Sequence, residues 1–177
     1  THQLVPLGPS PQILPALLQY GPYAATPDPD GKTLWISCLE SGDIRAFNTS
    51  SGQMELSRTV VTGGLPGFGG ATGNAVYFAR QSGEVGLPDD QLVILSSAGT
   101  VTAIHPIDSA DCVNAHQAVP DPTAPGKALV VCEGNHVSPG SLVRVDAVSG
   151  VTEASELAGV FPDAVTFVAG TGGAFAR

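Results

Sequence analysis

A phrase of about a dozen residues occurs twice in this 177-residue chain and limits the folds that the chain can adopt. The first copy, PDPDGKTLWISC, covers residues 27–38, and the second, PDPTAPGKALVVC, covers residues 120–132. Each copy passes from a Pro-Asp-Pro turn through Gly-Lys into an apolar segment that ends in cysteine. Because glycine accepts positive φ and proline blocks further pairing, we predict a hairpin in each copy. The chain is therefore interpreted as a repeat protein.

The spacing of the two copies is about twice a repeat unit of roughly 45 to 47 residues, and a degenerate copy lies between them. Short runs of Val, Ile, Leu and Thr, separated by Gly and Pro, indicate four strands in each unit, and no long helix is indicated. This period with four short strands is typical of β-propeller blades. We predict an all-β fold, a β-propeller of about three and a half four-stranded blades, which is half of a roughly seven-bladed propeller.

The repeat divides the chain into five segments. Residues 22–63, 64–110 and 111–160 are predicted blades, residues 1–21 hold an N-terminal segment with an outer, closing strand, and residues 161–177 supply the first strand of a further blade. The strands predicted within the three blades are 22–27, 33–39, 43–48 and 54–62; 66–71, 75–80, 91–96 and 100–106; and 114–120, 128–133, 141–147 and 151–158.

Three and a half blades leave two flanks of a propeller open, whereas a propeller of four to eight blades closes and shields its sheet edges. We therefore expect a partner for this half. The remaining blades could come from a further portion of the same chain, from a second polypeptide, or from a second copy of this chain.

The charge and hydropathy of the chain exclude some functions. A net charge of -9, with seven lysine and arginine residues in all, provides no basic patch for a nucleic acid. No apolar run approaches the roughly 20 residues that a membrane-spanning helix needs. The acidic, lysine-poor composition, a start without Met and the Asn48-Thr49-Ser50 sequon favour a secreted or periplasmic location over a cytoplasmic one.

The three cysteines, Cys38, Cys112 and Cys132, allow at most one disulfide within the chain. Cys38 and Cys132 occupy equivalent strand ends two blades apart, so Cys112 with Cys132 is the only pair that could bond. Simple hairpin pairing leaves these two out of register, because it places Cys112 opposite His136 and Val137. Ordinary buried thiols are therefore the alternative, and Cys38 is expected to be free.

Two stretches resemble known propeller families. Residues 22–52, PYAATPDPDGKTLWISCLESGDIRAFNTSSG, resemble the YVTN-type propeller repeat, a likeness that extends over about residues 13–168. NAHQAVPDPT followed by GSLVRVD resembles the lactonase branch of seven-bladed propellers, which includes 6-phosphogluconolactonase-like and muconate-lactonising enzymes. The corresponding blade there often carries His-x-His before the turn, whereas here Asn114 replaces the first histidine and only His116 remains. The resemblance implies a lactonase-like hydrolase or isomerase.

The innermost strands of a propeller line its central channel, so equivalent inner-strand positions form a ring. Alignment on the Pro-Asp-Pro turns places Tyr23 and His116 at the same position, and a looser alignment adds Gly67 and Asp163. Such a mixed polar set at a concave mouth suits ligand contact. The alternative is that the channel only holds water, which polar side chains tolerate.

Antiparallel pairing in the third blade predicts that His116 lies beside Glu133, with His136 at the same end of the sheet. His116 is the candidate general base and Glu133 the residue that orients it, while Tyr23, His116, His136 and Asp163 are candidate ligand contacts. No cofactor is assigned, although a divalent metal held by His116, Glu133 and His136 is considered. The alternative is a polar cross-strand pair without a metal.

Two functions remain open from the sequence. The first is an exported binding module that presents its channel-mouth loops to a small molecule, a glycan or a protein. The alternative is a lactonase-like hydrolase or isomerase that acts on a small sugar-derived or polar lactone. Because propellers host many unrelated activities, the fold does not decide between an enzyme and a binding protein, and we favour the binding module.

Overall fold

The computed structural model describes residues 20–82, 90–167 and 174–176. These residues form fourteen β-strands, and the elements described include no helix. The all-β prediction is confirmed. The predicted closing strand within residues 1–21 lies outside the described residues, apart from Tyr20 and Gly21.

Twelve strands form three units of four, here named blades 1, 2 and 3, and their ends lie within two residues of the predicted ones. Blade 1 contains β1 (Pro22–Pro27), β2 (Thr33–Cys38), β3 (Asp43–Asn48) and β4 (Gln53–Val61). Blade 2 contains β5 (Leu65–Thr72), β6 (Ala75–Gln81), β7 (Gln91–Ser96) and β8 (Val101–Pro106). Blade 3 contains β9 (Ala115–Pro120), β10 (Lys127–Cys132), β11 (Pro139–Asp146) and β12 (Thr152–Val160).

Each blade is an antiparallel meander, and the blades meet at their first strands. Strands β5 and β9 lie side by side in parallel, paired at Phe68 and Gln117, which joins blades 2 and 3 into one eight-stranded sheet. Blade 1 contacts blade 2 through the Ser37 hydroxyl, which donates to the Gly67 carbonyl at 2.6 Å. First strands that run parallel around a common axis are the inner strands of a propeller, so the chain is a partial β-propeller.

Both copies of the repeated phrase form the predicted hairpin between the first two strands of a blade. In blade 1 the backbone N–H of Asp28 donates to the Thr33 carbonyl at 3.0 Å, and Gly31 takes a φ of 67°. In blade 3 the N–H of Asp121 donates to the Lys127 carbonyl at 2.9 Å, and Gly126 takes a φ of 80°. The positive φ explains why glycine precedes lysine in both copies, because a side chain is strained there.

Apolar side chains on the faces of the blades pack neighbouring blades against each other. Between blades 1 and 2, Trp35 is fully buried and belongs to a cluster with Phe78 and Leu95. Between blades 2 and 3, a second cluster includes Leu92 and Val130. Burial of a large apolar side chain stabilises the fold by about 1.5–3 kcal/mol, so these two layers hold the blades together.

The segment predicted to supply one strand of a further blade contains two. Strand β13 (Val165–Phe167) pairs antiparallel with β14 (Ala174–Ala176). On the outer face of blade 3, Leu129 and Val131 cluster with Val165. This two-stranded sheet therefore packs against blade 3 through Val165.

A disulfide joins Cys112 to Cys132, with the Cα atoms 5.3 Å apart. Simple pairing placed Cys112 opposite His136 and Val137, but β9 begins only at Ala115, so Cys112 lies outside the ladder. Just before that strand, Asn114 takes a φ of 58° and turns the chain, and this turn brings Cys112 to the end of β10. Cys38 is buried and unbonded.

Candidate functional site

His116 lies at a β-bulge in the inner strand of blade 3. Ala115 pairs with Cys132 and Gln117 pairs with Val131, so His116 is the extra residue between two successive pairs. A bulge of this kind bends the strand and re-aims the side chain of the inserted residue. The bulge turns His116 toward the end of β10, where the chain continues into Glu133.

An equivalent bulge in blade 1 leaves Tyr23 unpaired, because Pro22 and Ala24 pair with successive residues of β2. The Tyr23 hydroxyl lies 3.1 Å from Nε2 of His116 and forms a hydrogen bond with it. The predicted ring of equivalent positions is thus a direct contact between blades 1 and 3.

Blade 2 has a longer irregularity at the same level. Pro66 and Gly69 pair with β6, and the two residues between them, Gly67 and Phe68, have no partner on that strand. A Cβ atom on Gly67 would overlap the His116 carbonyl oxygen, so only glycine fits. The Phe68 ring stacks on the His116 ring, with centroids 5.1 Å apart. Phe68 was not predicted from the sequence, although it follows Gly67, which belongs to the predicted ring.

Glu133 holds the second nitrogen of His116. Nδ1 of His116 and Oε1 of Glu133 form a hydrogen bond, and both residues are buried, at 5% and 6% exposure. Because an ionised carboxylate only accepts, it places the imidazole proton on Nδ1 and leaves the lone pair on Nε2. Glu133 therefore orients the histidine so that Nε2 faces Tyr23 and, at 3.5 Å, Oδ1 of Asp163.

His136 reaches the site through Glu133. Its Nε2 lies 3.0 Å from Oε2 of Glu133, so the carboxylate is held between two imidazole rings. The His136 side chain is half exposed, and the backbone at this residue has a φ of 64°. The His136 ring meets the Phe161 ring edge-on, with the centroids 4.3 Å apart. Phe161, like Phe68, was not singled out in the sequence.

Burial raises the pKa of Tyr23 above its ordinary value, and the negative charges of Glu133 and Asp163 raise it further. These causes all disfavour the phenolate. The Tyr23 hydroxyl therefore keeps its proton at neutral pH and serves as a hydrogen-bond donor.

Tyr23, His116 and Glu133 line a pocket of about 200 Å³. The volume is below that of pockets for drug-sized molecules, so the pocket suits a smaller ligand. Apolar and polar groups both contribute to its wall, which is formed by Tyr23, Leu39, Leu65, Gly67, Gln81, His116 and Glu133.

One group of potential metal ligands is present among the described residues at this mouth, and it differs from the predicted set. His116, Glu133 and Asp163 each offer a ligand atom, and these atoms all lie within 4.8 Å of one another. Asp163 thus replaces His136 in the predicted set. The structure brings together the predicted His116, Glu133, Tyr23 and Asp163 and attaches His136 at the edge.

Comparison with known proteins identifies the fold and leaves the family open. No family model and no curated protein sequence matches the chain. Among solved structures, hydrazine synthase from Kuenenia stuttgartiensis matches with a TM-score of 0.65 and 16% identity, over 82% of this chain and 38% of that one. A putative oxidoreductase (glucose dehydrogenase) from Thermus thermophilus matches with a TM-score of 0.58 and 18% identity, over 88% of this chain and 56% of that one.

A putative 6-phosphogluconolactonase from Bacteroides fragilis matches with a TM-score of 0.55 and 17% identity, over 78% of this chain and 39% of that one. The chain therefore spans between 38% and 56% of the length of these three neighbours. Identities this low show a shared propeller fold, and fold alone does not carry an activity. In the described part of the chain, no helix is long and apolar enough to cross a membrane.

Proposed function

We propose that this chain is a propeller binding module that holds a small polar ligand at the mouth of its channel. The observation that carries the proposal is the orientation of His116, whose Nε2 lone pair is directed to the channel mouth by the buried bond from Nδ1 to Glu133. Burying a carboxylate costs free energy, and Glu133 offsets that cost through its bonds to the imidazoles of His116 and His136, so we take the fixed orientation of His116 as the feature that a ligand would use.

The groups around the pocket suit a ligand with several hydroxyl or carboxyl oxygens. The Gln81 amide can donate a hydrogen bond, and the Tyr23 hydroxyl, which now bonds to Nε2 of His116, can turn to a ligand and free that nitrogen as an acceptor. Beside them, Leu39 and Leu65 form an apolar part of the wall, against which the apolar face of a small sugar can pack. A sugar acid or its lactone combines these features, so we propose this ligand class, ahead of a glycan or a protein loop.

A lactonase-like hydrolase is the second candidate, and the His116–Glu133 pair favours it. In that reaction Nε2 of His116 would take a proton from water as the water oxygen bonds to the lactone carbonyl carbon. The ring C–O bond would then break and its oxygen would take the proton back, so that one water and one lactone give one hydroxy acid. The structural likeness to a putative 6-phosphogluconolactonase supports this candidate only through the fold.

Histidine NMR separates the two functions, with glucono-1,5-lactone and gluconate as probes. The chain contains four histidines, and the variant His116→Gln identifies the His116 signal. We expect both probes to shift that signal saturably and the lactone to disappear no faster than with His116→Gln. Faster loss of lactone with the unaltered protein would support the hydrolase, whereas no shift with either probe would contradict the sugar-acid ligand class. His105→Gln, on the outer strand β8, is the matched control and should behave as the unaltered protein.

We also propose that the module works outside the cytoplasm and as part of a closed propeller. The Cys112–Cys132 disulfide supports the location, because disulfides persist in oxidising compartments. Three blades and the start of a fourth support a partner half, whether from the same chain, another polypeptide or a second copy. Native and denaturing mass measurements of the natural protein test the partner half, and a 17.9 kDa monomer under both conditions would contradict it.

A further inference from the structure

We infer that the channel mouth binds a divalent transition-metal cation between Nε2 of His116 and the carboxylate of Asp163, with Glu133 as the residue that orients the histidine. This inference deepens the proposed function and rests on it, because the cation would lie where the small polar ligand binds. It differs from the metal set predicted from the sequence in two respects: Asp163 is a ligand, and Glu133 and His136 support the site without contacting the cation.

The first observation is the spacing of the two donor atoms. Nε2 of His116 lies 3.5 Å from Oδ1 of Asp163. Two donors that each lie 2.0–2.2 Å from a tetrahedral zinc ion are separated by roughly 3.4 Å. The two atoms are thus further apart than a strong hydrogen bond requires and at the separation that a shared cation would need.

The second, independent observation is the bond on the other side of the imidazole. A histidine that binds a metal through one nitrogen donates its other N–H to a carboxylate or a carbonyl, which fixes the tautomer and the ring orientation. Glu133 accepts from Nδ1 of His116 in this way, and His136 holds the second oxygen of Glu133 at 3.0 Å. Both carboxylate oxygens are therefore fixed, and Nε2, which now bonds to the Tyr23 hydroxyl, is the nitrogen that would bind the cation once that hydroxyl turns away.

The surroundings leave room for a ligand on the cation. The Asp163 side chain is 63% exposed, so water or ligand oxygens can complete the coordination. Tyr23 now bonds to Nε2, and its hydroxyl would turn to donate to Asp163 or to the bound ligand. One imidazole with one carboxylate suits zinc, cobalt or nickel better than calcium or magnesium, which prefer oxygen donors alone. A hydroxy acid could then chelate the cation through two oxygens.

The test is titration of the purified full chain with Co²⁺, followed by its visible absorption, and with Zn²⁺ by calorimetry. We expect one saturable site. Asp163→Asn and His116→Gln should each weaken binding at least tenfold, and Glu133→Gln should weaken it about tenfold through the lost orientation of the ring. His105→Gln is the control and should leave the affinity unchanged, since His105 bonds to the Ala147 carbonyl elsewhere in the sheet.

Asp163→Asn is the decisive variant because an exposed side chain can change without unfolding the protein, which thermal unfolding by circular dichroism would verify. Unchanged Co²⁺ affinity in Asp163→Asn would overturn the inference, as would a larger loss in His136→Gln than in Asp163→Asn. Gluconate titrations in EDTA separate the two proposals. If gluconate shifts the His116 signal in EDTA but no Co²⁺ site is found, the binding function stands and the cation site is overturned. If a Co²⁺ site is found but gluconate causes no shift, only the ligand class is contradicted.

Discussion

In blade 1 the inner-strand bulge presents Tyr23 beside Leu39, whereas in blade 3 the equivalent bulge presents His116 beside Glu133. The backbone that makes the two bulges is the same. Gly21 and Asn114 precede them with φ values of 61° and 58°, and the carbonyls of these two residues accept from the N–H groups of Leu39 and Glu133 at 2.8 and 3.0 Å.

The two copies differ in the side chains that a similar backbone presents. The repeated phrase builds the hairpin and the bulge in each case, and the two substituted positions decide what the bulge does. A phenol beside leucine forms a wall with one donor, while an imidazole beside a buried carboxylate forms an oriented base or ligand. Blade 1 therefore contributes mainly packing, and blade 3 contributes the oriented imidazole on which the proposed function rests.

The sharpest test of this division is the packing at equivalent strand positions, Trp35 in blade 1 and Leu129 in blade 3. Trp35 is fully buried between blades 1 and 2, whereas Leu129 lies in the smaller cluster next to β13. We expect Trp35→Ala to lower the free energy of unfolding by about 3–5 kcal/mol and Leu129→Ala by about 2–3 kcal/mol. Urea unfolding followed by far-UV circular dichroism measures both, since Trp35 is the only tryptophan. Equal losses would show that the two copies share the packing evenly.

The cysteines provide the next contrast, because Cys38 and Cys132 end equivalent strands and only Cys132 is bonded. The disulfide closes a loop over a sequence separation of 20 residues, and its removal in the double variant Cys112→Ala, Cys132→Ala should cost about 3 kcal/mol. Cys38→Ala removes one buried sulfur and should cost about 1 kcal/mol. Equilibrium unfolding of the two variants compares them. A cost for Cys38→Ala as large as that of the double variant would contradict the contrast.

The Pro-Asp-Pro turns differ in what their aspartates hold. Asp28 is buried, and its two oxygens accept from Nε1 of Trp35 at 2.9 Å and from the N–H of Asp30 at 3.1 Å. Asparagine has one acceptor oxygen, so in Asp28→Asn an amide N–H group would face one of these donors. We expect a loss of about 1–3 kcal/mol, measured by urea unfolding.

The matched control is Asp121→Asn in blade 3. One oxygen of Asp121 accepts from Thr123, which the asparagine oxygen can still do. The other lies 3.1 Å from Nε of Arg144, a side chain that is 41% exposed, in an orientation too oblique for a hydrogen bond. In Asp121→Asn an amide N–H group would face this Nε–H, but the Arg144 side chain is partly exposed and can turn to water, so we expect a smaller loss than in Asp28→Asn. A larger loss in Asp121→Asn than in Asp28→Asn would reverse the proposed order of the two turns.

The sequence was sufficient for the strands and for part of the site, for identifiable physical reasons. Turn residues and short apolar runs act locally, so the strands of the three blades were predicted to within two residues. Antiparallel pairing is also short-range, and it placed His116 beside Glu133. Asp163 was added to the predicted set only by aligning the repeats. This alignment places residues correctly because propeller blades stack with one geometry.

The contacts that escaped prediction depend on packing between distant segments. Phe68 reaches His116 because β5 and β9 lie side by side, and no pattern along either strand encodes this. The bulge at His116 shifts the register by one residue, which a regular hairpin pattern cannot show. The same shift, with the turn at Asn114, brings Cys112 to Cys132, so regular pairing placed Cys112 elsewhere.

The smallest expected effect concerns the thiol that blade 1 keeps free. Burial first, and the negative charge of Asp43 next, raise the pKa of Cys38 to about 11. A thiol in an unfolded chain has a pKa near 8.5, so above that pH the unfolded state loses a proton that the folded state keeps. Unfolding then releases a proton, and stability that is complete below about pH 8.5 declines as the pH rises toward 11. In blade 3 the equivalent Cys132 is bonded and contributes no such decline.

We therefore expect the unfolding free energy of the protein to fall between pH 8 and pH 9.5 by about 1 kcal/mol more than that of Cys38→Ser, whose hydroxyl does not ionise in this range. Urea unfolding at each pH, with the loss at pH 8 taken as the reference for each variant, isolates this difference from the cost of the substitution itself. Tyrosine and lysine titration affects both proteins equally and cancels. Parallel pH profiles would mean that the Cys38 thiol ionises as readily in the folded protein as in the unfolded chain. The end of β2 in blade 1 would then be open to solvent, which would contradict the burial of Cys38.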